Sequence, residues 1–165
     1  HGPILRVVFG PRDPSYISPI LSAIQSDLCE SGIDGVLSTH IQRDALEKFS
    51  YVSPIGAAGV YLHAVAGDFQ KEGPARELFK SMIREISALA AAMGYPFEKD
   101  YVKINLEILS NLSADATTSM QRDIMEGKPS ELDGLVMEPL RLAKKYSVSM
   151  PCYEEVAKVL CPLEF

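Results

Sequence analysis

The sequence predicts a mainly α protein, a helical bundle preceded by one β-α-β unit of a parallel α/β sheet. Three observations carry that prediction. Residues 4–9 (I-L-R-V-V-F) and 33–38 (I-D-G-V-L-S) are short β-branched runs flanking a stretch of helical periodicity. From residue 41 onward, apolar residues recur at helical spacing almost to the end of the chain. Proline and glycine stand where helices start and stop rather than at regular strand-turn intervals.

The first run ends at Gly10 and reads as a strand. Ser18-Pro19 offers an N-cap followed by proline at the first helical position. Ile20, Leu21, Ile24 and Leu28 continue that helix, and Gly32 is placed to stop it. Two strands cannot satisfy their edges or bury both faces alone. Residues 1–40 are therefore expected to be the C-terminal edge of an α/β domain whose remainder is missing. Residues 41–165 then form an all-helical domain. Ile41 to about Gly67 is a long apolar helical segment, with an interruption expected near Ser53-Pro54 because proline lacks a donor and clashes with the preceding turn. Gly56, Ala57, Ala58 and Gly59 would let another backbone approach closely.

Pro74 opens the clearest helix. Ala75, Leu78, Phe79, Met82, Ile83, Ile86, Leu89, Ala90 and Met93 mark one stripe, and Gly94 with Pro96 ends it. Tyr101 to Leu112 repeats the pattern. Thr117 to Asp133 reads as a short helix, a Gly-Lys-Pro turn and the capped start of a helix running from about Ser130 to Tyr146, kinked at Pro139. A last helix begins near Pro151. The chain has no internal repeat or low-complexity segment.

With 165 residues, 47% apolar content and a net charge of −6, the composition describes a globular protein with enough apolar surface for a core. The negative balance argues against nucleic acid, whose binders cluster Lys and Arg. Cys29, Cys152 and Cys161 are odd in number and lack metal spacing, so a reducing, cytoplasmic setting is expected and no metal is assigned. The N-terminus shows no signal-peptide pattern, and Val52 to Ala66, the longest weakly polar run, is shorter than a membrane span.

Each candidate for chemistry has an ordinary structural explanation beside it. Lys48 follows Asp44 by one turn, a common exposed helix pair, yet it shares a face with Ala45 and Val52 at the edge of an apolar segment. There it could serve as a cation and proton donor. Thr118-x-x-Gln121 fits a capping box, and Ser119 and Asp123 are neighbours on a polar face. Glu131 and Asp133 suit the first turn of a helix, where acids face the dipole. His63 reads as a satisfied core histidine. Neither HExxH, G-x-S-x-G, G-x-G-x-x-G nor a phosphate-binding loop is present. Spacing alone stops at a helical domain, either half of an enzyme or a non-catalytic interaction or dimerisation module.

The order of elements resembles the C-terminal part of the ketopantoate reductase family, over nearly the whole chain. A helical domain in that family carries a motif like [ST]-S-M-x-x-D-I-x-x-G-x-x-[ST]-E-I-D. Here Thr118–Asp133 reads T-S-M-Q-R-D-I-M-E-G-K-P-S-E-L-D. The closing S-V-S-M-P is similar to the family's G-[IV]-x-[VT]-P. The resemblance implies a helical domain like the C-terminal domain of 6-phosphogluconate dehydrogenase, behind a Rossmann remnant. It also implies an NADP-dependent reduction of 2-dehydropantoate, or a related 2-oxo acid, in pantothenate biosynthesis. In this reading Lys48 is the general acid, Ser119 binds substrate, and Glu131 orients the lysine and the cofactor–substrate pair, as both a catalytic and a cofactor-binding residue. NADP is held mainly by the missing domain, the fragment alone is inactive, and a homodimer is an expectation. The departures are equally specific. Asparagines follow the lysine by four and eight residues in members of the family, where Val52 and Gly56 stand here. Another amide of D-Y-[IL]-N-G becomes Val136. The resemblance thus implies a pocket less polar than one that grips ketopantoate, and a divergent substrate.

Overall fold

The computed structural model describes residues 5–13, 15–16 and 18–161. The expected strand residue Ile4 and the N-terminal His1-Gly2-Pro3 lie outside them. The chain divides into two compact units, the first ending at Ala45 and the second starting at Leu46.

In the first unit, β1 (Arg6–Phe9) and β2 (Asp34–Leu37) pair in parallel, Arg6 opposite Asp34 and Phe9 opposite Leu37. The crossover is α1 (Pro19–Glu30), as the β-α-β order predicts. Ser18 has the extended backbone of an N-cap, but its side chain makes no capping bond. Gly32, at φ +80, turns the chain after the helix. Gly10 is required sterically, since a Cβ there would lie 2.2 Å from the Ser38 carbonyl oxygen. Val7, Val8 and Ile20 are exposed, so this unit displays apolar surface on both strand and helix.

The second unit is built on α4 (Pro74–Ala92), whose Phe79, Met82, Ile83, Ile86, Leu89 and Ala90 are buried in the predicted stripe. Burial of each larger member is worth roughly 1.5–3 kcal/mol. Around it pack α3 (Ala66–Gln70), α5 (Tyr101–Ser110), α7 (Glu138–Tyr146) and α8 (Pro151–Leu160). The helix α6 (Ser119–Met125) and all but the first five residues of α2 (Ile41–Leu62) complete the set. The stripe of α5 departs from its pattern: Ile108 is exposed, while the polar Asn105 is buried beside Leu109.

Contrary to expectation, α2 is not interrupted at Pro54. The missing Pro54 N–H orphans the Ser50 carbonyl, and the Asn105 side-chain amide of α5 donates to that oxygen at 3.1 Å. Tertiary structure therefore repairs the ladder that proline breaks. The chain breaks instead at His63, which adopts φ +51 and is exposed, not in the core. Pro139 shows the same logic. Before Pro139 the chain forms a π-helical turn over Asp133–Met137, with Glu138 N–H bonded to Asp133 O, and then runs into α7 with Pro139 in its first turn. The Leu135 carbonyl, four residues before Pro139, accepts from the Ser53 hydroxyl at 2.6 Å.

Candidate functional site

The corner at Thr117–Asp133 is positioned by backbone bonds that begin at α3. Ala66 N–H donates to Ala116 O at 2.9 Å and Gly67 N–H to Ala114 O at 2.7 Å. Gly67 allows this approach, because a Cβ there would meet Ala114 at 3.0 Å. Thr118 then caps α6 in the predicted box: its hydroxyl accepts from Gln121 N–H at 3.2 Å, and its N–H donates to Gln121 Oε1 at 2.9 Å. The box does more than cap. Buried Gln121 also donates from Nε2 to Ala64 O at 2.8 Å and rests on Gly59, where a Cβ would come within 2.7 Å of its amide. The small residue at 59 thus receives a side chain, not another backbone.

Gly56 marks the junction of three elements. A Cβ there would meet Met120 Cε at 3.1 Å, Leu135 Cδ1 at 3.8 Å and Thr118 Oγ1 at 3.9 Å, so α2, the start of α6 and the π-turn converge on it. A buried relay fixes that convergence. Ser53 Oγ donates to Leu135 O, leaving its lone pairs to accept, and Tyr153 Oη lies 2.5 Å away. With the serine proton committed to a carbonyl, Tyr153 is the donor of the second bond. Burial holds the Tyr153 phenol far above its ordinary range, so it keeps that proton. The N-terminus of α8 is held in turn by Glu85, whose carboxylate accepts from Cys152 N–H at 2.8 Å and Tyr153 N–H at 3.1 Å. Burial first, then Glu85, raises the Cys152 thiol to about 11.

On this frame Lys48, Ser119 and Glu131 are all exposed. Lys48 lies on the Val52–Gly56 face of α2, two turns or roughly 12 Å before Gly56. Ser119 sits between Thr118 and the Met120 that abuts Gly56. Glu131 is one hydrogen-bonded turn before Leu135, through Leu135 N–H to Glu131 O at 2.9 Å. Among the described residues their side chains bond neither to one another nor to any other group. Asp133 differs: Arg141 grips it bidentately at 2.9 and 2.7 Å, also binds Glu138, and holds the Asp133 carboxyl below its ordinary range. That acid serves the surface. Asp123 is half-buried. No group of three His, Cys, Asp or Glu side chains among the described residues is placed to hold a metal.

Residues 40–164 match the family model described as "Ketopantoate reductase PanE/ApbA C terminal". The chain belongs to this family. It is 26% identical over 159 residues to the 2-dehydropantoate 2-reductase of Aquifex aeolicus (strain VF5), covering 94% of the chain and 51% of that protein. Its fold is similar to that of 2-dehydropantoate 2-reductase from Methylococcus capsulatus, at TM-score 0.86 and 24% identity, over 99% of the chain and 52% of that structure. A dimeric ketopantoate reductase from Staphylococcus aureus is similar at TM-score 0.78 and 19% identity, over 87% and 50%. The chain spans about half the length of the curated relatives it matches. No helix among the described residues is long and apolar enough to cross a membrane.

Two of the three positions at which this ketopantoate reductase family member departs from the amide pattern are buried. Gly56 is surrounded by Met120, Leu135 and Thr118, and Val136 is fully buried in the core. Val52 is different, lining a cavity of about 270 Å³ together with Tyr51, Ile55, Phe69, Leu112 and Thr118. A second cavity of about 360 Å³, lined by Gly59, His63 and Met125 among others, shares Gln121 with the first. Sequence reasoning missed Tyr51, Ser53, Asn105 and Tyr153. Asn105 carried a signal, as a lone amide inside an apolar stripe, and Ser53 carried one beside Pro54; the two tyrosines carried none.

Proposed function

We propose that the chain is the C-terminal, substrate-binding half of an NADP-dependent reductase of the 2-dehydropantoate 2-reductase kind. In this proposal residues 1–40 are the edge of the cofactor domain and residues 41–165 the helical domain. The observation that carries it is that Lys48, Ser119 and Glu131, at the motif positions, are exposed and unpartnered among the described residues, whereas the neighbouring Asp133 and Gln121 are committed to Arg141 and Ala64. Side chains with unused donors and acceptors are available to a ligand.

As the substrate's C2 carbonyl is reduced, charge develops on its oxygen. The Lys48 ammonium stabilises that charge and transfers a proton to it, giving the hydroxyl of the 2-hydroxy acid. Exposure lets solvent reprotonate Lys48 afterwards. The Ser119 hydroxyl orients the substrate by a hydrogen bond, and the Glu131 carboxylate orients Lys48. When bound, NADPH supplies the hydride. The loop after β1, Gly10-Pro11, lacks the glycine pattern that cradles a pyrophosphate, so the main cofactor contacts lie outside this chain. Exposed Glu131 fits the one contact assigned here. With ketopantoate as substrate the product serves pantothenate biosynthesis, in the cytoplasm; the dimeric relative supports a homodimer.

Steady-state kinetics of the protein encoded by the complete gene test this reading. K48A should lower kcat by about 10²–10⁴ while moving stability by no more than about 0.5 kcal/mol, as befits an exposed side chain. Undiminished turnover in K48A would remove Lys48 from the mechanism. Absence of NADPH-dependent reduction of any 2-oxo acid would favour a non-catalytic interaction module.

A further inference from the structure

The cavity of about 270 Å³ beside Val52 adjoins the face assigned to the reaction. Val52 lies one turn beyond Lys48 on the same side of α2, and Thr118 immediately precedes Ser119. Its walls are apolar, from Val52, Ile55, Phe69 and Leu112. The polar groups that reach it are mostly used: Thr118 accepts from Gln121 N–H, and the Gln121 amide is bonded at both ends. Tyr51 adds its ring to that wall: it is partly buried against the core and packs edge-on against fully buried Phe79, with centroids 6.0 Å apart. Its Oη is withdrawn from solvent and presents no donor to the cavity. A wall of this kind accommodates an apolar group.

Neither of the other two positions offers an amide here: Gly56 carries no side chain, and Val136 is buried in the core. A hydroxyl-bearing side group entering this space would leave water for a wall of apolar side chains, while an apolar group loses nothing on entry.

We propose that this cavity is the side-group pocket of the reductase, and that it selects 2-oxo acids with a branched aliphatic or aromatic side group over the hydroxylated ketopantoate. This rests on the reductase reading above and adds the substrate class and its selecting residue, Val52. One extra methylene in a hydrophobic pocket discriminates about 10–200-fold, so the preference should be large enough to measure.

The experiment ranks kcat/KM for 4-methyl-2-oxopentanoate, phenylpyruvate, pyruvate and ketopantoate with the protein encoded by the complete gene and NADPH. At least one of the two bulky apolar acids should exceed both pyruvate and ketopantoate by about tenfold or more. V52N and V52F are then compared by circular dichroism and kinetics. V52N should shift the ratio toward ketopantoate, and V52F, which fills the cavity from its wall, should lower the ratio of phenylpyruvate to pyruvate at least tenfold. Should either variant fail to fold, the wild-type ranking decides. Ketopantoate as the preferred substrate would overturn the pocket assignment and leave the reductase reading standing. Failure to reduce any of the four acids would overturn both.

Discussion

Replacing Asn105 by alanine isolates the interaction that lets α2 pass through a proline. Asn105 is 1% exposed, and its amide donates to both Ser50 O and Ser50 Oγ at 3.1 Å. Pro54 supplies no N–H, so N105A leaves the Ser50 carbonyl buried without its donor. An unmet buried acceptor costs about 1–3 kcal/mol, and the volume lost in a closed site adds to this. We expect a total of about 2–3 kcal/mol. The same change in a P54A background should cost far less. Alanine at position 54 brings an N–H one helical turn from Ser50, and the helix already runs straight through this position. The carbonyl then regains a partner inside α2. The assay is urea unfolding of the four proteins of the cycle, followed by far-UV circular dichroism. A coupling of about 1 kcal/mol or more is expected. Equal losses with and without the P54A change would refute the idea that Asn105 replaces the proline's missing donor.

Three further outcomes follow from the buried relay and the charged surface. S53A strands both the Leu135 carbonyl and the Tyr153 hydroxyl, and should cost about 2–4 kcal/mol, whereas Y153F removes only the outer donor and should cost about 1 kcal/mol, read from urea midpoints; the reverse order would contradict the assigned bond directions. The Asp133 carboxyl should titrate below the ordinary carboxylate range by carbon-detected NMR, returning upward in R141Q and in high salt. Because its folded value is depressed, any stability it contributes is present above the unfolded pKa and lost as pH falls through the folded one. Cys152, raised to about 11, should alkylate slowly at neutral pH and accelerate only as the pH approaches that value, and E85Q should shift the profile to lower pH; rapid labelling at neutral pH would show the thiol to be neither desolvated nor facing Glu85.

Much of the fold was legible because its signals are local. The α4 stripe, the Pro74 start and the Gly94 stop depend on residues within a few turns of one another, and the Thr118–Gln121 box closes over three positions. The parallel pairing of β1 and β2 follows from strand–helix–strand order. Of the candidate site, residue types and spacing marked Lys48, Ser119 and Glu131, but the same pattern marked Asp133. Only the position of Arg141, eight residues further on, distinguishes the committed acid from the uncommitted one.

What the sequence by itself determined is the helical class, the β-α-β start and a motif long enough to name a family. What tertiary structure decided is the fate of groups whose partners are remote in the chain. Pro54 should break a helix judged alone, and does not, because an amide from α5 supplies the lost donor. Pro139 follows a π-turn, and the Leu135 carbonyl that the proline leaves without a donor is met by Ser53. His63, placed in the core by its apolar neighbours, is exposed at a positive φ. Nothing near Tyr51 or Val52 in the chain announces a cavity, since its walls come from α2, α3, α6 and the segments that follow α5 and lead into α6. A hydrogen-bond donor or an apolar wall contributed across tens of residues has no local signature, and here such contributions shape the pocket and hold the frame around it.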